Sequence, residues 1–219
     1  MLTIYGVYRS RATRPLWLLA EIDHPFRLVP VIQAYRISEP MQPEAPLNTL
    51  SPDFLAINPM GSIPSMEDNG LVLHESLAIS LYIARKYGGD LGPKDIDEEA
   101  LMVQWSLFAA TSIETPALKI NVAISGNRQD SPDGKAEIEV AARQLKRPFD
   151  VLDKHLSQHG HIVGGRFTVA DINVAECVRY AQGELSLLDG RPALKAWLET
   201  CQNRAGFKTM WDTRSMEPA

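Results

Sequence analysis

The chain has 219 residues, 45% apolar and 22% charged, with a formal net charge of −5, enough for one large or two small hydrophobic cores in an ordinary globular protein. This acidic balance, with no run of Lys or Arg, argues against a nucleic-acid surface. No stretch approaches the roughly 20 apolar residues of a membrane span, and the opening MLTIYGVYRS lacks the regions of a secretory signal, so a cytoplasmic protein is expected.

The first elements alternate. Residues 2–6 read as a strand, and 11–22 as a helix with Leu16, Trp17, Leu19 and Ala20 at helical spacing. Pro15 falls near its first turn, where a missing N–H is tolerated. Asp23-His24-Pro25 ends it, because the residue before proline leaves the helical region. Residues 26–32 are a second strand, so strand–helix–strand order predicts a parallel pair with a right-handed crossover. A polar segment follows, residues 33–52, with four prolines at 40, 43, 46 and 52. It is long for a connection inside a compact domain. A short helix over 52–57 closes it.

Residues 62–66 and 71–73 read as two short strands around the turn Asp68-Asn69-Gly70. Ser76–Tyr87 is an amphipathic helix stopped by Gly88-Gly89. Residues 88–95 read as a linker. From there only helical patterns remain: 96–125, 132–158 with Pro148 inside, 167–182 and 192–204, with a weakly patterned tail from 207. The fold class is therefore α/β over 1–87, followed by an all-helical domain over 96–219. The two cysteines, Cys177 and Cys201, form no CxxC pair and have no histidine at ligand spacing, so no metal site is expected.

Pro64 cannot donate to a strand ladder, so it belongs at an edge or a bend, where the neighbouring Ile63 backbone is free to pair with an extended peptide. The N-terminus of the 76–87 helix offers unpaired N–H groups and a positive dipole end, suited to a carboxylate. The hydroxyl of Ser76 lies at that end, and the carboxylate of Glu75 suits an ammonium group. A small zwitterion with an attached peptide would fit. Taken singly, Ser76 and Glu75 could equally be helix-capping residues.

The order Asn58-Pro59-x-Gly61-x-Ile63-Pro64, hairpin turn, Glu75-Ser76-x-Ala78-Ile79 resembles the glutathione-binding segment of cytosolic glutathione transferases. Gly165–Ile172, with Thr168-x-x-Asp171 at capping-box spacing, and Pro192-Ala193-Leu194-x-x-Trp197-Leu198 are similar to that family's helical-domain motifs. The resemblance covers nearly the whole chain and points to a serine-type, theta-like bacterial member. It implies a thioredoxin-like N-terminal domain, glutathione as co-substrate, backbone pairing of Ile63 beside a cis Pro64, and Glu75 and Ser76 at the γ-glutamyl end. It also implies a homodimer, through the 76–87 and 96–125 helices.

The chemistry such an enzyme needs is a lowered thiol pKa, since the thiolate is the nucleophile. In the loop Tyr5–Arg14, the resemblance carries the role of hydrogen-bond donor to sulfur onto Ser10. A cap on the first helix is the alternative role for Ser10, and Tyr8 is the competing donor. Arg9, Arg11 and Arg14 add positive charge, any of which could be an ordinary solvated cation. With no cysteine among the first 176 residues, cysteine-using classes are disfavoured. Trp105, Phe108, Ala109, Ser112 and Ile113 recur at helical spacing. One or two of them, with Tyr8, are expected to face a hydrophobic electrophile between the domains, the rest being core. A non-catalytic scaffold and a glutathione-dependent dehalogenase or isomerase are the alternatives.

Overall fold

The computed structural model describes residues 1–218. The chain divides into two compact units, Met1–Gly89 with the segment from Ala205, and Asp90–Arg204. In the first, β1 (Thr3–Tyr5), α1 (Thr13–Ile22) and β2 (Arg27–Val29) form the expected crossover, with Ile4 paired to Leu28 in a parallel ladder. The short α2 (Pro52–Leu55) precedes β3 (Ser65–Asp68), β4 (Leu71–His74) and α3 (Ser76–Tyr87). The sheet runs β2-β1-β3-β4. Asn69 and Gly70 turn the hairpin with positive φ at both positions, 51° and 85°, the conformation a two-residue turn between twisted strands requires.

The hairpin corrects one expectation. Its first strand starts at Ser65, not at residue 62, and it is an inner strand, paired to β1 on one side and β4 on the other. Pro64, having no N–H for a ladder, stands just before that strand, after a cis peptide bond to Ile63. The long segment 33–52 is organised by Asn48, which is fully buried. Its Nδ2 donates to the carbonyls of Pro40 and Pro46 (both 2.9 Å), and its Oδ1 accepts from Leu50 N–H (2.9 Å). The buried Asp68 docks α3 onto the hairpin by accepting from Lys86 Nζ (2.6 Å), Tyr87 OH (2.7 Å) and Tyr82 OH (3.0 Å). Burial pushes this carboxyl up, but the three donors outweigh it and hold it below its ordinary value.

The weakly patterned tail is a helix, α10 (Ala205–Met216), and it packs on α1 within the first unit. Phe207 meets the fully buried Trp17 edge-on, with ring centroids 4.9 Å apart.

The second unit contains α4 (Ile96–Phe108), a π-helical stretch over 109–114, α5 (Thr115–Ser125), α6 (Pro132–His159), α7 (Val169–Val178), the short α8 (Ser186–Asp189) and α9 (Pro192–Gln202). The single helix expected over 96–125 is thus one helical path interrupted by a wider turn. Every residue of α7 is buried, so it is the centre of this core. Against α5 and α9, α6 buries Ile138, Ala141, Leu145, Phe149, Leu152 and Leu156 at three- and four-residue spacing. The capping box at the start of α7 is formed: Asp171 Oδ2 accepts from Thr168 N–H (2.9 Å), while Oδ1 accepts from Trp197 Nε1 (2.8 Å) and Ile162 N–H (3.1 Å).

Arg166 clamps the start of α4. Its two terminal nitrogens reach Glu98 Oε1 and Oε2 at 2.8 Å each, and it also donates to the carbonyls of Asp90 and Gly92 (2.9 Å each). The hydrogen bonds from Arg166 hold the Glu98 carboxyl down at about 2. A depressed carboxyl stabilises the fold above its unfolded pKa and loses that contribution as pH falls through the folded one. Glu98→Gln should therefore lower stability by about 1–3 kcal/mol near neutrality. The difference from the parent should shrink between pH 4.5 and about 2. Urea unfolding at a series of pH values checks this, and a pH-independent difference would contradict it.

Candidate active site

Three segments far apart in sequence meet in the first unit. The loop over 6–12 leaves β1 and enters α1. A Cβ built on Gly6 would lie 3.3 Å from Ala12 Cβ and 3.7 Å from both Ile63 Cβ and Pro64 Cα, so only a glycine allows this close an approach without displacing a neighbour. The N-termini of α1 and α3 are joined by Arg14, whose Nη1 donates to Ser76 Oγ at 2.8 Å. The Ser10 loop, the Ile63-Pro64 bend and the Glu75-Ser76 helix start thus form one cluster.

Ser10 lies in the turn before α1. Its Oγ donates to the Val7 carbonyl (2.6 Å) and accepts from Ala12 N–H (3.0 Å). It therefore satisfies a donor at the helix start, as a capping residue would, and its hydroxyl stays at the positive end of α1. Tyr8 is half-buried. Burial, and secondly the carboxylate of Glu217, push its phenol above the ordinary value, so it remains a protonated donor at neutral pH.

Ile63 precedes the ladder, and its N–H and C=O take no hydrogen bond among the described residues. The bend that carries it is held by the buried Asn58. Its Nδ2 donates to the Ser62 carbonyl (2.8 Å) and Ser65 Oγ (3.1 Å), and its Oδ1 accepts from Met60 N–H (3.1 Å). Ser65 Oγ lies 3.1 Å from His74 Nδ1 across the hairpin.

Glu75 is the N-cap of α3, with φ 66° and ψ 109°. A non-glycine residue held there carries backbone strain of order 1–3 kcal/mol. Its side chain does not cap the helix. The residue is exposed, and its carboxylate has no partner among the described residues. The strained backbone leaves this carboxylate in solvent beside a helix N-terminus. Ser76 is the first helical residue and is buried. Its hydroxyl accepts from Arg14 and retains its own proton for a ligand.

Trp105, Phe108 and Ser112 are half-buried, whereas Ala109 and Ile113 are core. Trp105 sits edge-on to Phe108 (5.4 Å between centroids) and 4.6 Å from the His155 ring on α6. Among the described residues no cluster of three His, Cys, Asp or Glu could hold a metal ion, and no helix is long and apolar enough to cross a membrane.

Three residues carry more of this site than sequence patterns indicate. Arg14, expected as a solvated charge, is 1% exposed. Its place inside the apolar run from Ala12 to Leu19 is the signal that marks it as buried. Asn58 is visible only as a turn residue. Glu217, whose carboxylate accepts from Tyr8 N–H and Arg9 N–H (2.8 Å each), has no local signal at all.

A thioredoxin-like sheet unit joined to a helical unit defines the class of protein. The family descriptions "Glutathione S-transferase, N-terminal domain" and "Glutathione S-transferase, C-terminal domain" match residues 1–85 and 104–205. Glutathione S-transferase 3 of Zea mays is 34% identical over 72% of this chain and 73% of its own. Glutathione transferase F7 of Populus trichocarpa superposes with a TM-score of 0.81 at 28% identity, covering 98% of this chain and 99% of that one. A structure of glutathione S-transferase-I bound with lactoylglutathione gives 0.78 at 26% identity, over 97% and 99%. The chain belongs to the glutathione S-transferase family. Its curated relatives named here and others from Arabidopsis thaliana and Oryza sativa are plant proteins, so the narrower theta-like bacterial placement has no support from them.

The link between the two helix starts is open to test. Arg14→Lys keeps the charge but loses the guanidinium fork. It should cost about 1–3 kcal/mol of stability in urea unfolding, and an unchanged midpoint would show that the Arg14–Ser76 bond contributes nothing.

Proposed function

We propose that the protein transfers glutathione, joining its thiolate to a small hydrophobic electrophile, with Ser10 as the donor that stabilises the thiolate. One observation carries this: the loop that holds the Ser10 hydroxyl leaves Gly6 against the Ile63-Pro64 bend, and Arg14 at the start of α1 bonds Ser76, next to the strained Glu75 at the start of α3. Glutathione supplies a complementary group for each. Its extended cysteinyl amide pairs with the Ile63 backbone beside Pro64. Its γ-glutamyl ammonium meets the Glu75 carboxylate, and its α-carboxylate takes the Ser76 hydroxyl and the first N–H groups of α3. Its sulfur then lies toward the start of α1.

There the Ser10 hydroxyl exchanges the Val7 carbonyl for sulfur by rotation about its Cβ–Oγ bond. A hydrogen bond to the charged form, together with the helix dipole, lowers the thiol pKa, and the proton leaves to solvent. The sulfur lone pair attacks the electrophilic carbon. A C–S bond forms, and either a leaving group departs with its electron pair or a conjugated double bond takes up the charge and a proton. Trp105, Phe108 and Ser112, with Tyr8, are the proposed contacts of the electrophile.

Exposed apolar side chains, Leu71 and Val72 on β4 and Leu101, Val103 and Leu107 on α4, favour a homodimer. Two buried cysteines, neither in a disulfide, accord with a reducing cytoplasm.

Ultraviolet difference titration of bound glutathione tests the chemistry. Ser10→Ala should lose the thiolate band and about 100-fold in kcat/KM, while Tyr8→Phe keeps the band. The reverse pattern would transfer the role to Tyr8. Light scattering at micromolar concentration should give twice the chain mass, and a monomer would sink the dimer.

A further inference from the structure

The loop that carries Ser10 is held from outside by residues that follow α10. Glu217 Oε1 accepts from Tyr8 N–H and Oε2 from Arg9 N–H, each at 2.8 Å, so one carboxylate bridges the two amides just before Ser10. The contact is doubled: Arg9 Nε donates to the Glu217 carbonyl (2.8 Å) and Arg36 Nη2 to the Pro218 carbonyl (2.6 Å). Gln33 closes the ring. Its Nε2 donates to the Arg9 carbonyl (3.0 Å), and its Oε1 accepts from Arg36 Nη1 (3.2 Å). The tail reaches this position because α10 is fixed on α1 through Phe207 and Trp17.

Backbone N–H groups that bind a carboxylate make short, charge-assisted bonds, roughly twice as strong as neutral ones. The loop has little else to hold it at these two positions, since neither amide enters the sheet or a helix. We infer that Glu217 is a positioning residue for thiol activation: its carboxylate fixes the Tyr8–Arg9 amides and thereby aims the Ser10 hydroxyl. This rests on the transferase function proposed above for the same cluster.

The sign of one shift separates positioning from charge. A carboxylate near a thiolate disfavours the anion, so removing it for charge reasons alone lowers the thiol pKa. Losing the aim of Ser10 raises it. Glu217→Gln removes the charge but keeps an acceptor, whereas Glu217→Ala removes both. In the full-length protein, the thiolate absorbance of bound glutathione is titrated against pH, alongside amide hydrogen exchange of the 6–12 loop and steady-state kinetics. For Glu217→Ala we expect faster exchange at Tyr8 and Arg9, a thiolate titration moved to higher pH, and a kcat lowered about tenfold with a smaller change in KM. For Glu217→Gln we expect a titration at or below the parent's and kcat within about threefold of it. A thiolate titration in Glu217→Ala at or below the parent's, or an unchanged kcat, would overturn the inference alone. A parent protein that forms no bound thiolate would overturn the transferase function, and this inference with it.

Discussion

The Arg14–Ser76 contact ties the starts of α1 and α3 to each other inside the first unit. A guanidinium is almost never buried without directed hydrogen bonds, because desolvation costs several kcal/mol. Here it is 1% exposed and spans from the start of α1 to the first residue of α3. Two helix N-termini and a fixed cation therefore occupy one small region. Each helix end carries the equivalent of about half a positive charge. Neither end is neutralised by a capping side chain at its N-cap, Ala12 or Glu75. Such a field is unfavourable to itself and favourable to an anion. A peptide with a carboxylate at one end and an ionisable thiol in the middle relieves it at two places. The positive field thus matches the charges of the ligand proposed for it.

The surrounding framework keeps this region from relaxing. Asp68 draws three donors from α3 onto the hairpin, and Asn58 spans the bend before β3. Both are buried polar groups whose partners fix a geometry that apolar packing alone would leave loose. The second unit uses the same device. Asp171 is fully buried at the start of a fully buried helix, and its two oxygens accept from Thr168, Ile162 and Trp197. A carboxylate there is tolerable only because its lone pairs are satisfied, so it determines which segments lie beside α7.

Legibility in the sequence followed the range of the interactions. The helix Ser76–Tyr87 was readable to the residue, because its turn, periodic face and glycine stop are all local. The pattern over 132–158 likewise matches α6, with Ser131 accepting from Gly134 N–H at its start. The hairpin's first strand begins three residues later than its apolar pattern indicates, because Pro64 lacks the N–H that the apolar character of Ile63 cannot replace. The π-helical stretch over 109–114 could not be read, since a turn one residue wider disturbs periodicity too little. α10 has a poor amphipathic pattern, and its place on α1 rests on long-range packing of Gly206, Phe207 and Met210, including the edge-on contact of Phe207 with Trp17. Among the residues of the proposed site, Ser10, Ile63, Pro64, Glu75 and Ser76 follow from motif order. Arg14 and Glu217 could not, because their partners lie 62 and more than 200 residues away.

Glu217 also bears on how the site balances two demands. A loop that aims a hydroxyl must be rigid, yet the conventional means of rigidity, sheet pairing or helix, would use the hydroxyl's neighbourhood for backbone bonds. A carboxylate delivered from a remote helix holds two amides without placing a strand there. Its negative charge opposes thiolate formation, but it is already engaged by two N–H donors, with Arg9 bonded to the same residue's carbonyl. Engagement by positive partners reduces the field it projects onward. In the proposed mechanism the arrangement therefore exchanges a small electrostatic penalty at the sulfur for order in the loop. That exchange is favourable only when misalignment costs more than the residual charge, as expected for a hydrogen bond whose value depends on distance and angle.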